Sequence, residues 1–262
     1  MAFETIRLDL DGGIARLTLA RPEAANTINL LLAQELLEAT AVLHDQPSVR
    51  VVLLRGEGRL FCGGGDLKEF AELGDGVPAH LRAVTTALHA AIIRLARLPA
   101  PVVAAVQGSA AGAGFSLACA ADVVLAADSA RFVLAYARVG LTPDGSATFF
   151  LPRLVGLRRA QQLALLNTPL TAAEALDWGL ITEVVPEADL VTRAEAVAAE
   201  LASGPTLALG AAKRLLWSSF DTSLETQLER ETEALSAAAA TEDGREGIAA
   251  FVAKRPPRFT GR

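Results

Sequence analysis

The sequence predicts an α/β fold in which parallel strands alternate with crossover helices over residues 1–203, followed by a helical region over 204–262. Three observations predict it. Short apolar runs of strand length, "VRVVLLRGEG", "PVVAAVQG" and "DVVLAAD", each end at glycine or aspartate. Stretches with helical periodicity lie between them, and such alternation is the pattern of parallel pairing. From Gly204 onward the apolar spacing is helical only, in "PTLALGAAKRLLWSSF", "SLETQLERETEALSAAA" and "DGREGIAAFVAKR".

In chain order, "TIRLDLDGGIARLTLAR" predicts a hairpin, because two alternating runs flank the turn residues Asp11-Gly12-Gly13. "NLLLAQELLEATAVLHDQ" predicts a helix, with apolar positions such as Leu32, Leu36 and Leu43 and with Asn29 as N-cap. "VRVVLLRGEG" predicts a short buried strand. "PAHLRAVTTALHAAIIRLARLP" predicts an amphipathic helix that Pro99 stops. After the strand "PVVAAVQG", the run "GAGFSLACAA" predicts a helix of small residues, and "DVVLAAD" a third strand. No repeat or low-complexity linker divides the chain.

Of the 262 residues, 52% are hydrophobic and 21% charged, which supports a sizeable core and argues against disorder. A net charge of −6 argues against nucleic acid as a partner, since phosphate contacts leave a basic footprint. The two cysteines, Cys62 and Cys119, are too few for a disulfide framework and fit a reduced compartment. No Cys/His spacing resembles a metal site. The stretch "MAFETIRLDLDGG" has no apolar run of the export kind, so a cytoplasmic location is expected. The longest apolar stretch, Pro99 to Ala127, is broken by glycines, by Gln107 and by Asp122, and does not read as a membrane span.

Two glycine-rich loops carry the chemistry. "RLFCGGGDLKEF" and "QGSAAGAGFSL" each follow a predicted strand and place small residues where strand turns into helix. Each could be a tight turn and nothing more. Together they could also present one N–H each to a carbonyl oxygen, which is an oxyanion hole. "GAGFSL" begins like a dinucleotide fingerprint, but Leu117 stands where the last glycine belongs, so a nicotinamide or flavin cofactor is not expected.

With these loops the sequence resembles the crotonase family, also called the enoyl-CoA hydratase/isomerase family. The likeness runs through "RPEAANTINL", "FCGGGDLKEF", "PVVAAVQGSAAGAG", "ADVVLAADSARF", "LPRLVG", "AEALDWGLITEVV" and "DGREGIAAFVAKR", covering essentially the whole chain. The resemblance implies a spiral of ββα turns, C-terminal helices that trimerise, and an acyl-CoA thioester as ligand, with no cofactor beyond the coenzyme A of the substrate. It implies that Gly65 and Ala113 supply the oxyanion N–H groups. It implies that Gly63, Gly64, Asp66, Leu67 and Lys68 hold the adenine and pantetheine, that Ala24 and Ala25 lie along the nucleotide, and that Phe251 and Lys254 reach the CoA of a neighbouring subunit. A homotrimer or dimer of trimers is therefore expected, with neither nucleic acid nor membrane as partner.

The hydratases of the family place two glutamates around the double bond, and here those places hold Ser116 and Tyr136. Without that acid/base pair, ordinary hydration is not expected. An acid does stand at Asp144, in "VGLTPDGSATFFLP". The surrounding sequence resembles the branch of isomerases that act on ring-epoxidised phenylacetyl-CoA, where an aspartate at this place shuttles a proton. Asp144 also reads as an ordinary N-cap for the helix that follows. A second branch, the 4-chlorobenzoyl-CoA dehalogenases, matches Asp144 as nucleophile, His89 as its helper and Tyr136 where a tryptophan lines the ring pocket. His89 reads equally as a structural residue on an alanine-rich helix. The expected activity is an enoyl-CoA isomerase. A hydratase of fatty-acid or aromatic-acid breakdown is the alternative, followed by a hydrolytic dehalogenase or thioesterase.

Overall fold

A computed structural model describes residues 3–262. Its main sheet begins with the predicted hairpin: β1 (Ile6–Asp11) pairs antiparallel with β2 (Ile14–Leu19) across Gly12-Gly13. From β2 onward every pairing in that sheet is parallel, through β3 (Val51–Gly56), β4 (Val102–Val106), β6 (Val123–Ala127) and β9 (Glu183–Val185). β4 is buried along its whole length, which is why its sequence is a continuous apolar run rather than an alternating one.

A smaller sheet runs beside the first. β5 (Ser109–Ala111) pairs parallel with β7 (Arg131–Val133), and β7 pairs antiparallel with β8 (Leu170–Thr171). Two isolated parallel bridges, Ile28 with Gly65 and Cys62 with Ala110, carry the same layer back through the earlier turns. Each turn of the chain thus contributes a strand to the main sheet, a short segment to the second layer and then helix. The result is the expected spiral of ββα units.

The helices of the core are α1 (Leu30–His44), α2 (Leu67–Glu72), α3 (Val77–Arg97), α4 (Ala113–Cys119), α5 (Ala147–Val155), α6 (Leu157–Leu166), α7 (Ala172–Asp177) and α8 (Leu190–Ser203). Asn29 caps α1 as expected, its side chain accepting the N–H of Leu32 at 2.9 Å. α1 and α3 pack on one another, and Leu32, Leu36 and Leu43 are buried between helix and sheet. α9 (Thr206–Ser218), α10 (Leu224–Ala239) and α11 (Glu242–Val252) complete the chain. α9 is tied to the core by a buried ion pair: Lys213 Nζ lies 2.7 Å from Asp122 Oδ2 and donates to Leu95 O at 2.9 Å. α10 and α11 carry large apolar side chains into solvent, among them Leu224, Leu235, Ile248 and Val252. Among the described residues no helix is long and apolar enough to cross a membrane.

Candidate active site

The two glycine loops meet. The Cys62 loop and the Ala110 loop are neighbouring turns of the spiral, joined by Cys62 N–H to Ser109 O at 3.2 Å and Ala111 N–H to Cys62 O at 2.9 Å. Gly64 has φ +100°, and a Cβ there would lie 2.9 Å from Ala111 O and 3.5 Å from Gly112 Cα, so the loops touch backbone to backbone. Among the described residues neither the Gly65 N–H nor the Ala113 N–H, the latter at the start of α4, has a backbone acceptor. Buried donors without partners are uncommon.

Both residues line one cavity of about 340 Å³. Its walls are mostly apolar: Ile28 from before α1, Leu67 and Phe70 from α2, Leu81, Val84 and Leu88 from α3, and Val139 and Leu141 from the segment after β7. Gly63, Gly64, Tyr136 and Asp144 complete the residues that the sequence singled out. Asp144 is the one carboxylate among the lining residues.

A second, more polar groove of about 570 Å³ adjoins it, sharing Gly63, Gly65 and Leu67. Ala24, Ala25, Asp66 and Lys68 line it, as expected, together with Arg21, Thr27 and three glutamates, Glu23, Glu69 and Glu72. Asp66 shapes this groove: it caps α2 through the Glu69 N–H and accepts from Arg21 Nη2 and Thr27 Oγ1, both at 3.1 Å. Burial pushes its pKa up, but these donors outweigh burial and hold the carboxyl below the usual aspartate value. Sequence reasoning missed Arg21 and Thr27 as its partners, although both sit in or beside the "RPEAAN" motif.

Asp144 is not a helix cap. α5 begins at Ala147 behind Ser146, which has φ +73° and makes no side-chain cap bond. Only the backbone oxygen of Asp144 serves the helix, accepting Ala147 N–H at 3.2 Å. Its carboxylate has two side-chain partners, His89 and Tyr136, both of which the dehalogenase resemblance singles out. Tyr136 OH donates to Oδ1 at 2.6 Å, and His89 Nε2 lies 3.1 Å from Oδ2. Tyr136 follows a left-handed residue, Ala135, in a 3-10 turn that brings its side chain back onto Asp144. Ser116 Oγ, fully buried, donates to Asp144 O at 2.8 Å and sits 3.2 Å from Tyr136 OH. The places expected to hold two glutamates therefore hold two hydroxyls that fix the turn bearing Asp144. Burial, then the adjacent Asp144 charge, drives the Tyr136 phenol well above its usual pKa, so it remains a donor.

His89 is not among the residues lining the cavity, and 43% of its side chain is exposed. Phe251, 84% exposed at the end of α11, and Lys254, exposed just beyond it, line neither cavity of this chain. Cys62, at the junction of the loops, is fully buried, its thiol pushed up to about 12 by desolvation, so it is no nucleophile.

A spiral of ββα turns encloses an apolar cavity lined by two residues whose N–H groups have no backbone acceptor. Residues 9–262 match the family described as enoyl-CoA hydratase/isomerase, and the chain belongs to that family, the crotonases. Its relatives include a Rhodobacter capsulatus protein named "Probable enoyl-CoA hydratase", 43% identical over the full length of both chains. They also include the 1,2-epoxyphenylacetyl-CoA isomerase of Escherichia coli K12, 41% identical over 99% of each. The crystal structure of an enoyl-CoA hydratase from Polaromonas sp. JS666 superposes with a TM-score of 0.92 at 34% identity, covering 97% of this chain and 99% of that one. The protein is an enzyme of this family.

Proposed function

We propose that the protein is an enoyl-CoA isomerase that moves a double bond from the 3 to the 2 position of an acyl-CoA thioester, with Asp144 as the proton shuttle. One observation carries the reading: Asp144 is the one carboxylate lining the cavity into which the free N–H groups of Gly65 and Ala113 open. The CoA nucleotide would follow the groove past Ala24, Ala25, Asp66 and Lys68, and the acyl chain would fill the apolar cavity. The thioester oxygen would accept from Gly65 and Ala113. As Asp144 takes a proton from Cα, the electron pair moves onto that oxygen, where two fixed donors hold the dienolate. Return of the proton to Cγ gives the conjugated product. The step uses no cofactor or metal. The likeness to an isomerase at 41% identity supports the reading.

We propose as well that the exposed apolar side chains of α10 and α11 are covered in a homotrimer or dimer of trimers. Phe251 and Lys254 would then serve the CoA of a neighbouring copy.

Asp144→Asn tests the isomerase reading directly. The amide oxygen can accept from Tyr136 OH and the amide nitrogen can face His89 Nε2, so the side chain keeps its place and size while the base is lost. Isomerisation of 3-hexenoyl-CoA is expected to fall by about 10²–10⁴-fold, with thioester affinity and melting temperature nearly unchanged. A variant that isomerises normally rules out Asp144 as the base. Mass analysis of the products separates isomer, hydrate and free acid, so the same assay exposes a hydratase, a dehalogenase or a thioesterase.

A further inference from the structure

His89 has no role in the reaction as written above, yet it touches the carboxylate at the centre of it. Its Nε2 is 3.1 Å from Asp144 Oδ2, and the residue is not among those lining the cavity. The same nitrogen accepts the backbone N–H of Gly145 at 3.1 Å. Accepting that bond requires the Nδ1–H tautomer, and in that tautomer Nε2 meets Asp144 with a lone pair. Contact between its Nε2 lone pair and a carboxylate oxygen is repulsive when that oxygen is bare. It is attractive when the oxygen bears a proton. The geometry is thus the one wanted at a single moment of the cycle, when Asp144 has taken a proton and not yet returned it.

The two oxygens of Asp144 have different neighbours. Oδ1 meets the Tyr136 phenol, which is buried and holds its own proton. Oδ2 meets a ring with 43% of its side chain in solvent. The Asp144 side chain is 26% exposed, and the imidazole beside Oδ2 is more open to water than the phenol beside Oδ1.

We infer that His89 is the proton outlet of Asp144, so the hydrogen removed from Cα exchanges with solvent before a proton reaches Cγ. The inference rests on the proposed shuttle role of Asp144. The Cα–H bond breaks and its electron pair enters the dienolate. The proton lands on Oδ2 and passes to His89 Nε2, giving imidazolium and carboxylate. Exchange takes place at Nε2, the nitrogen that received the hydrogen: the half-exposed ring turns about Cβ–Cγ to present Nε2 to water, gives that hydrogen up, takes a solvent hydrogen in its place and turns back. Imidazolium then returns a solvent-derived proton to Asp144, which delivers it to Cγ. No net charge is gained or lost, and His89 acts through Asp144 without touching substrate.

The test is isomerisation of 3-hexenoyl-CoA in D₂O, with deuterium at Cγ of the 2-hexenoyl-CoA product read by NMR at low conversion. Wild-type protein is expected to place solvent deuterium at Cγ in most product molecules. His89→Gln keeps an oxygen that can accept the Gly145 N–H but cannot carry a proton. Per molecule of product formed, and whatever the change in rate, deuterium at Cγ is expected to fall several-fold as the original hydrogen is passed internally. Tyr136→Phe removes the buried alternative route and should leave the deuterium content per product high. Wild-type product without solvent deuterium overturns the inference with no variant needed, and so does equal deuterium content in wild type and His89→Gln. The shuttle reading fails separately, if Asp144→Asn still isomerises.

Discussion

Replacing Gly114 by alanine tests whether the two loops must touch for the chemistry to run. A Cβ at Gly114 would lie 2.5 Å from the carbonyl oxygen of Cys62, 2.6 Å from its Cβ and 2.8 Å from its Sγ. None of these yields easily. Cys62 is fully buried, its carbonyl accepts Ala111 N–H at 2.9 Å, and its thiol donates to Asn26 O at 3.1 Å. Restoring an ordinary 3.4 Å contact requires α4 to withdraw by 3.4 − 2.5 = 0.9 Å. Ala113 precedes Gly114 in the same turn, so its N–H moves with it. An oxyanion donor works within about 2.7–3.1 Å, and losing one lowers turnover by about 10²–10³-fold. Overpacking itself destabilises by about 1–3 kcal/mol, which for a chain of this size is a melting temperature lower by roughly 2–12 °C. Turnover of 3-hexenoyl-CoA and a thermal melt measure both. A Gly114→Ala protein with wild-type turnover and melting temperature would refute the view that backbone contact between the loops sets the donor.

Crotonyl-CoA hydration should run about 10²–10⁴-fold below isomerisation of 3-hexenoyl-CoA, because Ser116 and Tyr136 supply no acid/base pair; absorbance of the conjugated thioester follows it. Asp66 gives a pH signature. Its folded pKa lies below the ordinary value of 3.8, so its contribution to stability is present above that value and is lost as pH falls through the lowered one. Urea midpoints measured from about pH 5 to pH 3 should therefore fall further in wild type than in Asp66→Asn, all other carboxylates being common to both. Light scattering at micromolar concentration should show three or six copies; a stable monomer would rule out a neighbour's Phe251 and Lys254 as CoA contacts.

The elements legible in the sequence were those long enough to carry a period or marked by a cap. β1 to β4, β6, α1, α3 and α4 have apolar spacing or a turn signal, and Asn29 marks the start of α1. β5, β7, β8 and β9 are two or three residues long and have no period to read. They form because neighbouring turns of the spiral offer them partners. The two glycine-rich loops were legible for the same reason the long strands were: their signal is local composition. The partners of Asp144 were legible only through the likeness to the dehalogenases, not from local pattern. His89 is 55 residues away in sequence, and Tyr136 reaches Asp144 only through left-handed backbone at Ala135, a non-glycine residue that advertises nothing. Reading Asp144 as a cap failed because the chain turns once more, at Ser146, before α5 starts.

The free N–H groups of Gly65 and Ala113 belong to the main chain, whereas Ser116, Tyr136 and Asp144 act through side chains. A point mutation can erase any of the latter three, whereas only substitution by proline removes a main-chain N–H. If the proposed mechanism holds, inheritance can rewrite how a proton is handled in this cavity, residue by residue, while the two main-chain donors persist through almost any substitution. Relatives sharing about two-fifths of this sequence, under the names of hydratase and isomerase, are what such a division of labour would leave behind.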